Sequence, residues 1–68
     1  MDKNTIQNLI NSKMKEFDYL FKQVQAFKHR KVNGVDFPEY GVCKNDVQMN
    51  RLLSFRRNEL FSLANQLV

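Results

Sequence analysis

Tryptophan is absent from this sequence, proline, cysteine and histidine occur once each, and glycine occurs twice. With so few breakers the chain is expected to form long uninterrupted elements. The single cysteine, Cys43, excludes an intramolecular disulfide and points to a reducing interior. One Cys and one His cannot build a structural zinc site, and the acids Asp2, Glu16, Asp18, Asp36, Glu39, Asp46 and Glu59 show no clustered ligand spacing. There is no glycine-rich phosphate loop and no dinucleotide fingerprint, so neither a cofactor nor a small-molecule substrate is expected. No apolar run approaches the length that spans a bilayer. The first residues lack a secretory pattern, and the amphipathic segment that follows carries acids, which disfavours a transit peptide. The expected location is the cytoplasm. A nucleophilic pair of Cys43 and His29 would lack an orienting third group and an oxyanion site. No enzymatic activity is expected.

What the sequence does hold is apolar periodicity. At 43% hydrophobic with six phenylalanines, the 68 residues are not compositionally disordered, and they fit one domain, 1–68. The clearest pattern is C-terminal. Met49, Leu53, Arg56, Leu60, Leu63 and Leu67 recur at steps of four and three, widened by Leu52 and Ala64, which is one face of a helix over about 45–67. Asn45 is its N-cap, Asp46 suits the positive end of the helix dipole, and Gln48 stands where a capping box closes. A second apolar face, Ile6, Leu9, Ile10, Met14, Phe17, Leu20, Phe21, Val24 and Phe27, predicts a first helix over about 4–30, capped by Asn4 with Gln7 behind it.

The fold class expected is therefore all-α: two long antiparallel helices forming a helical hairpin around an ordered loop. Two readings of the loop compete. Gly34 ends the helical region and 32–43 cross irregularly, or His29–Val32 and Val35–Phe37 form a short β-hairpin about Asn33-Gly34, with Lys31 near Asp36. In either case Phe37 and Val42 are the expected apolar anchors, Pro38 ends any strand, and Gly41 supplies a turn. Cys43 reads as a small apolar loop residue.

Phe55 and Phe61 lie off the C-terminal stripe, about 140° and 100° from Leu60 on opposite sides. One narrow helix contact cannot bury both. Self-association into a four-helix bundle would; otherwise Phe61 is covered within the chain and Phe55 is left outside. Arg56, on the stripe itself, is expected to pair with Glu16 or Asp18 of the first helix.

Net charge is +4, enough to attract polyanions and too little to establish nucleic-acid binding. Lys28, His29, Arg30 and Lys31 form a block that a hairpin would bring near Lys44 and Arg51. The leading functional expectation is a small non-enzymatic regulator or adaptor that binds another protein, with Phe55, Phe61 and Tyr19 as apolar contacts and Arg57 assisting. The second is a DNA- or RNA-binding protein using Lys28, Arg30, Lys31, Lys44 and Arg51, against which a solvated basic patch is ordinary surface. The long connection fits a helix-turn-helix poorly, and the acids of the first helix disfavour membrane binding. The layout of helix, short hairpin and helix loosely resembles that of small phage head–tail joining proteins, without a motif matched residue by residue. That resemblance implies a structural assembly subunit as a third possibility, and layout alone does not carry function.

Overall fold

The computed structural model describes residues 2–68. Two helices, α1 (Lys3–Lys28) and α2 (Asp46–Asn65), are joined through a two-stranded sheet of β1 (Val35–Phe37) and β2 (Gly41–Cys43). Two ion pairs mark the helix register. Lys13 meets Glu59 and Glu16 meets Arg56, so a step forward along α1 is a step back along α2 and the two run antiparallel. The periodicity of the two apolar faces predicts this pair. At 1.5 Å per residue, α1 alone would span about 39 Å, which accounts for the 41 Å long axis of a molecule only 18 by 16 Å across.

The start of α1 differs from expectation. Asp2, not Asn4, is the N-cap, and its Oδ1 accepts from the Thr5 backbone N–H at 3.0 Å. A carboxylate in that position also meets the positive end of the helix dipole. Asn4 then falls inside the helix. At the other end, Arg30 N–H donates to the Phe27 carbonyl (2.8 Å) and Lys31 N–H to the Ala26 carbonyl (2.9 Å), the paired bonds of a Schellman motif. Arg30 occupies its left-handed position with φ of 61°, where glycine is the usual residue. Arg30→Gly should therefore raise stability by about 0.5–1 kcal/mol, the relieved backbone cost less the extra freedom of the unfolded chain. Thermal unfolding followed by circular dichroism checks this; an unchanged or lower midpoint would contradict it.

The loop holds a short β-hairpin that includes Val35–Phe37, as the second reading expects, but its partner strand and turn are different ones. β1 pairs with β2, Val35 opposite Cys43 and Phe37 opposite Gly41, and His29–Val32 form no strand. The reversal lies at Pro38-Glu39-Tyr40. Tyr40 N–H closes it onto the Phe37 carbonyl at 2.9 Å, Pro38 supplies the fixed φ of the first corner, and Gly41 follows at φ of 79°. Gly34 serves a different purpose from a tight turn. A Cβ there would stand 3.1 Å from Val42 Cγ1 and 3.2 Å from the Cys43 carbonyl oxygen, so glycine permits the chain to cross close behind β2. Lys31 and Asp36 form no ion pair among the described residues.

Strand parity settles the anchors. Val35, Phe37 and Cys43 point inward, whereas Val42, opposite Asp36, points out and is exposed. Phe37 is an anchor as expected; Val42 is not, and Val35 with Cys43 takes its place. The Cys43 thiol is buried and directed at the Asn45 carbonyl, 3.6 Å away. These residues join Leu20 and Val24 of α1 and Met49, Leu52 and Leu53 of α2 in the main core, with Phe17 and Phe27 packed on its edge. α2 begins where its cap requires: Asn45 Oδ1 accepts from Val47 N–H at 2.9 Å and Gln48 N–H at 3.3 Å. The Gln48 side chain makes no reciprocal bond among the described residues.

Candidate functional site

Three of the concavities formed by the described residues lie beside the elements named above. The first lies where the hairpin meets α2. Tyr40 from the turn, Val47, Arg51, Leu52 and Phe55 from α2, and the amide side chains of Asn45 and Gln48 line about 390 Å³. Tyr40, Val47 and Phe55 are 55%, 64% and 55% exposed, so three large apolar groups converge around one cation. The stripe Val47–Arg51–Phe55 arises from four-residue spacing along one side of α2, and Tyr40 is brought to it by the reversal at Pro38.

The second runs between the helices on the opposite flank. Phe17, Phe21, Asn50, Leu53, Ser54 and Arg57 line about 200 Å³, with the Phe17 and Phe21 rings stacked at 6.2 Å between centroids. No hairpin residue reaches it. The third is an open cleft of about 510 Å³ at the loop end, lined by Phe27, Lys28, Arg30, Val32, Asn33 and Asp46.

The residues singled out in the sequence are thus divided rather than gathered. Phe55 and Arg51 share the hairpin-side groove. Arg57 lines the helix groove, and Phe61, one turn beyond it, is exposed on the same flank. Lys28 and Arg30 line the loop-end cleft; Lys31, next in the chain, is exposed, as is Lys44, which precedes the Asp46 of the cleft wall by two residues. Arg51 lines the hairpin-side groove and not the loop-end cleft. Tyr19, 62% exposed, belongs to none of the three concavities. Tyr40 and Val47 were not legible as contacts. A tyrosine before a turn glycine and a valine in a first helical turn have no special spacing, and only the folded hairpin places them together.

Electrostatics separates structural cations from available ones. Arg56 pairs with Glu16 Oε1 at 3.0 Å, as the stripe position predicts, and its Nη2 stands 3.6 Å from Glu39 Oε1. Glu59 does not join it; it pairs with Lys13 across the helices. Lys22 pairs with Asp18 one turn before it. Among the described residues, Lys28, Arg30, Lys31, Lys44, Arg51 and Arg57 meet no carboxylate. No group of three or more His, Cys, Asp or Glu residues among the described residues comes together as metal ligands would, and no described helix is long and apolar enough to cross a membrane.

The fold and surface define a small helix–β-hairpin–helix domain with exposed apolar grooves. No family model, curated protein or solved structure matches the chain.

Proposed function

We propose that this chain is a small non-catalytic adaptor or regulator, acting in the cytoplasm, that binds another protein through the hairpin-side groove. The observation carrying this reading is the convergence of Tyr40, Val47 and Phe55, each more than half exposed, around an Arg51 that has no carboxylate partner among the described residues. Aromatic anchors with an arginine beside them have the composition of binding hot spots. The complementary partner segment presents an apolar side chain next to a carboxylate. The unpaired Cys43 accords with a reducing compartment.

The test begins with co-purification from the source cells and continues with the recovered partner as a pure protein. Phe55→Ala should weaken that complex by about 30-fold or more, the loss of a hot-spot contact of roughly 2 kcal/mol, with only modest salt dependence. Circular dichroism should be unchanged, because Phe55 is already half in water. An affinity unaffected by Phe55→Ala would remove this groove from the function.

Nucleic-acid binding is the second reading, favoured by one observation: Arg30 stands at a left-handed position where glycine would be easier, beside Lys28 in the loop-end cleft. Asp46 on the cleft wall works against a polyanion there. Under this reading affinity for duplex DNA falls steeply with salt and is lost on charge reversal of Arg30 and Lys31, while Phe55→Ala has no effect.

A further inference from the structure

Eight asparagines are spread along the chain, and the fold holds seven of them in helical or capping geometry. Asn4, Asn8 and Asn11 lie in α1, Asn50, Asn58 and Asn65 lie in α2, and Asn45 is the cap whose Oδ1 accepts from Val47 and Gln48. Within a helix the N–H of the next residue is turned along the axis, away from the preceding side chain. Asn33 is the exception. It is exposed, in a segment, 32–34, whose backbone enters no hydrogen bond among the described residues. Its side chain makes none either. Rotation about the Asn33 backbone therefore breaks no backbone hydrogen bond. The residue that follows is Gly34, whose free N–H has no Cβ beside it to obstruct a nearby electrophile.

We infer that Asn33 and Gly34 form a site of spontaneous covalent modification, at which the chain deamidates through a succinimide ring. The Gly34 amide nitrogen gives its proton to solvent and attacks Asn33 Cγ, closing the ring. The Cγ–Nδ2 bond breaks, and Nδ2 takes up a proton and leaves as ammonia. Water then adds to either ring carbonyl. Cleavage of the new C–N bond restores the main chain with aspartate at 33. Cleavage of the original peptide bond leaves isoaspartate, whose main chain runs through Cγ. The sum is one water consumed and one ammonia released, and the net charge of +4 falls by one unit.

The surroundings give the two products different fates. Asn33 lines the loop-end cleft with Lys28, Arg30 and Asp46, so the aspartate carboxylate joins two cations and one acid while the backbone stays as it was. Isoaspartate lengthens the main chain by about 1.5 Å directly before Gly34. There even a Cβ would stand 3.1 Å from Val42 Cγ1 and 3.2 Å from the Cys43 carbonyl oxygen. Val35, the next residue, is 2% exposed in the core. The added length strains this packing, and the isoaspartyl form is the less stable of the two. The site rests on neither reading of function, yet it removes charge on which the nucleic-acid reading relies.

The test is incubation of the folded full chain at body temperature and mildly alkaline pH, followed by tryptic digestion. The peptide 32–44 carries Asn33 as its only asparagine. It should convert to aspartyl and isoaspartyl forms well before the peptides carrying Asn11, Asn50 or Asn58 change. The intact chain should lose one unit of positive charge on cation exchange. Isoaspartate marks the ring, since direct hydrolysis of the side-chain amide yields aspartate alone. Asn33→Gln, whose longer side chain closes a ring far more slowly, should abolish the change at unaltered circular dichroism. Asn33→Asp should melt with the wild type, and the purified isoaspartyl form should melt lower. Conversion of peptide 32–44 in urea but not in the folded chain would overturn the inference. So would aspartate without isoaspartate, or conversion of the helical asparagines at the same rate. An isoaspartyl form that melts with Asn33→Asp would overturn the account of its fate.

Discussion

Phe37→Ala is expected to lose most of the stability of the fold. The ring is fully buried, at 0% exposure, and shares the main core with Leu20 and Val24 of α1 and Met49, Leu52 and Leu53 of α2. It thus ties the hairpin to the helix pair. Truncating a buried phenylalanine costs about 3–5 kcal/mol, from lost transfer energy and the cavity left behind. Domains hold roughly 0.05–0.15 kcal/mol per residue, hence about 3–10 kcal/mol for a chain of this length. The two ranges overlap, so the variant should be largely unfolded near physiological temperature, or have its thermal midpoint lowered by about 12 °C or more. Phe37→Leu, which keeps most of the volume, should cost far less. Urea titrations of the three proteins decide the matter. A Phe37→Ala loss under about 1 kcal/mol would mean that the hairpin does not anchor the core.

The second large effect concerns the only cation on the inner stripe of α2. The Arg56 side chain is 10% exposed, those of Glu16 and Glu39 are 38% and 66% exposed, and Arg56 Nη2 is buried without a hydrogen bond among the described residues. The cation has therefore lost more hydration than its partners and recovers it incompletely. Removing the charge while keeping the stem, as in Arg56→Met, should leave stability within about 1 kcal/mol of wild type or raise it, because Glu16 and Glu39 can rehydrate. Arg56→Ala also opens a gap beneath the hairpin and should cost about 2–3 kcal/mol. Arg56→Glu would set a poorly hydrated carboxylate beside two others and should cost about 3–5 kcal/mol. The order Met, Ala, Glu in rising damage is the expected outcome of chemical denaturation. If Met proves as damaging as Glu, the ion pair is a net source of stability and this account of Arg56 is wrong.

Much of the helical architecture is legible because burial imposes a period. Ile6, Ile10, Leu20 and Val24, and then Met49, Leu52 and Leu53, fall on the buried sides of their helices, and the stripe position of Arg56 predicts its acidic partner. The hairpin is less legible because three-residue strands are too short to display alternation. Asn33-Gly34 offers a stronger local turn signal than Pro38-Glu39-Tyr40-Gly41. The glycine at 34 instead answers a close approach of backbone to β2, a requirement set by tertiary packing that leaves no local trace. Once the register shifts to the Pro38 turn, parity sends Val42 outward and Cys43 inward, reversing one anchor. The capping error is smaller: Asp2 and Asn4 both suit an N-cap, and the earlier residue captures the Thr5 N–H. As for the surface, Phe55 and Phe61 are visible as off-stripe aromatics. Helical spacing also puts them on opposite sides of the stripe, but which side gains Tyr40 of the hairpin as a neighbour depends on where the hairpin leans.

Eight of the ten buried hydrophobic residues sit in the core at the loop half of the molecule, leaving Ile6 and Ile10 to hold the other half. There Leu60, Leu63 and Leu67 are only partly covered, and the Lys13–Glu59 bridge is well hydrated. Amide protection should accordingly be graded along the long axis. Deuterium would enter the first turns of α1 and the last turns of α2 together, through an opening far smaller than global unfolding. The backbone amides around Leu20, Val24, Met49 and Leu52 would exchange only when the whole domain opens.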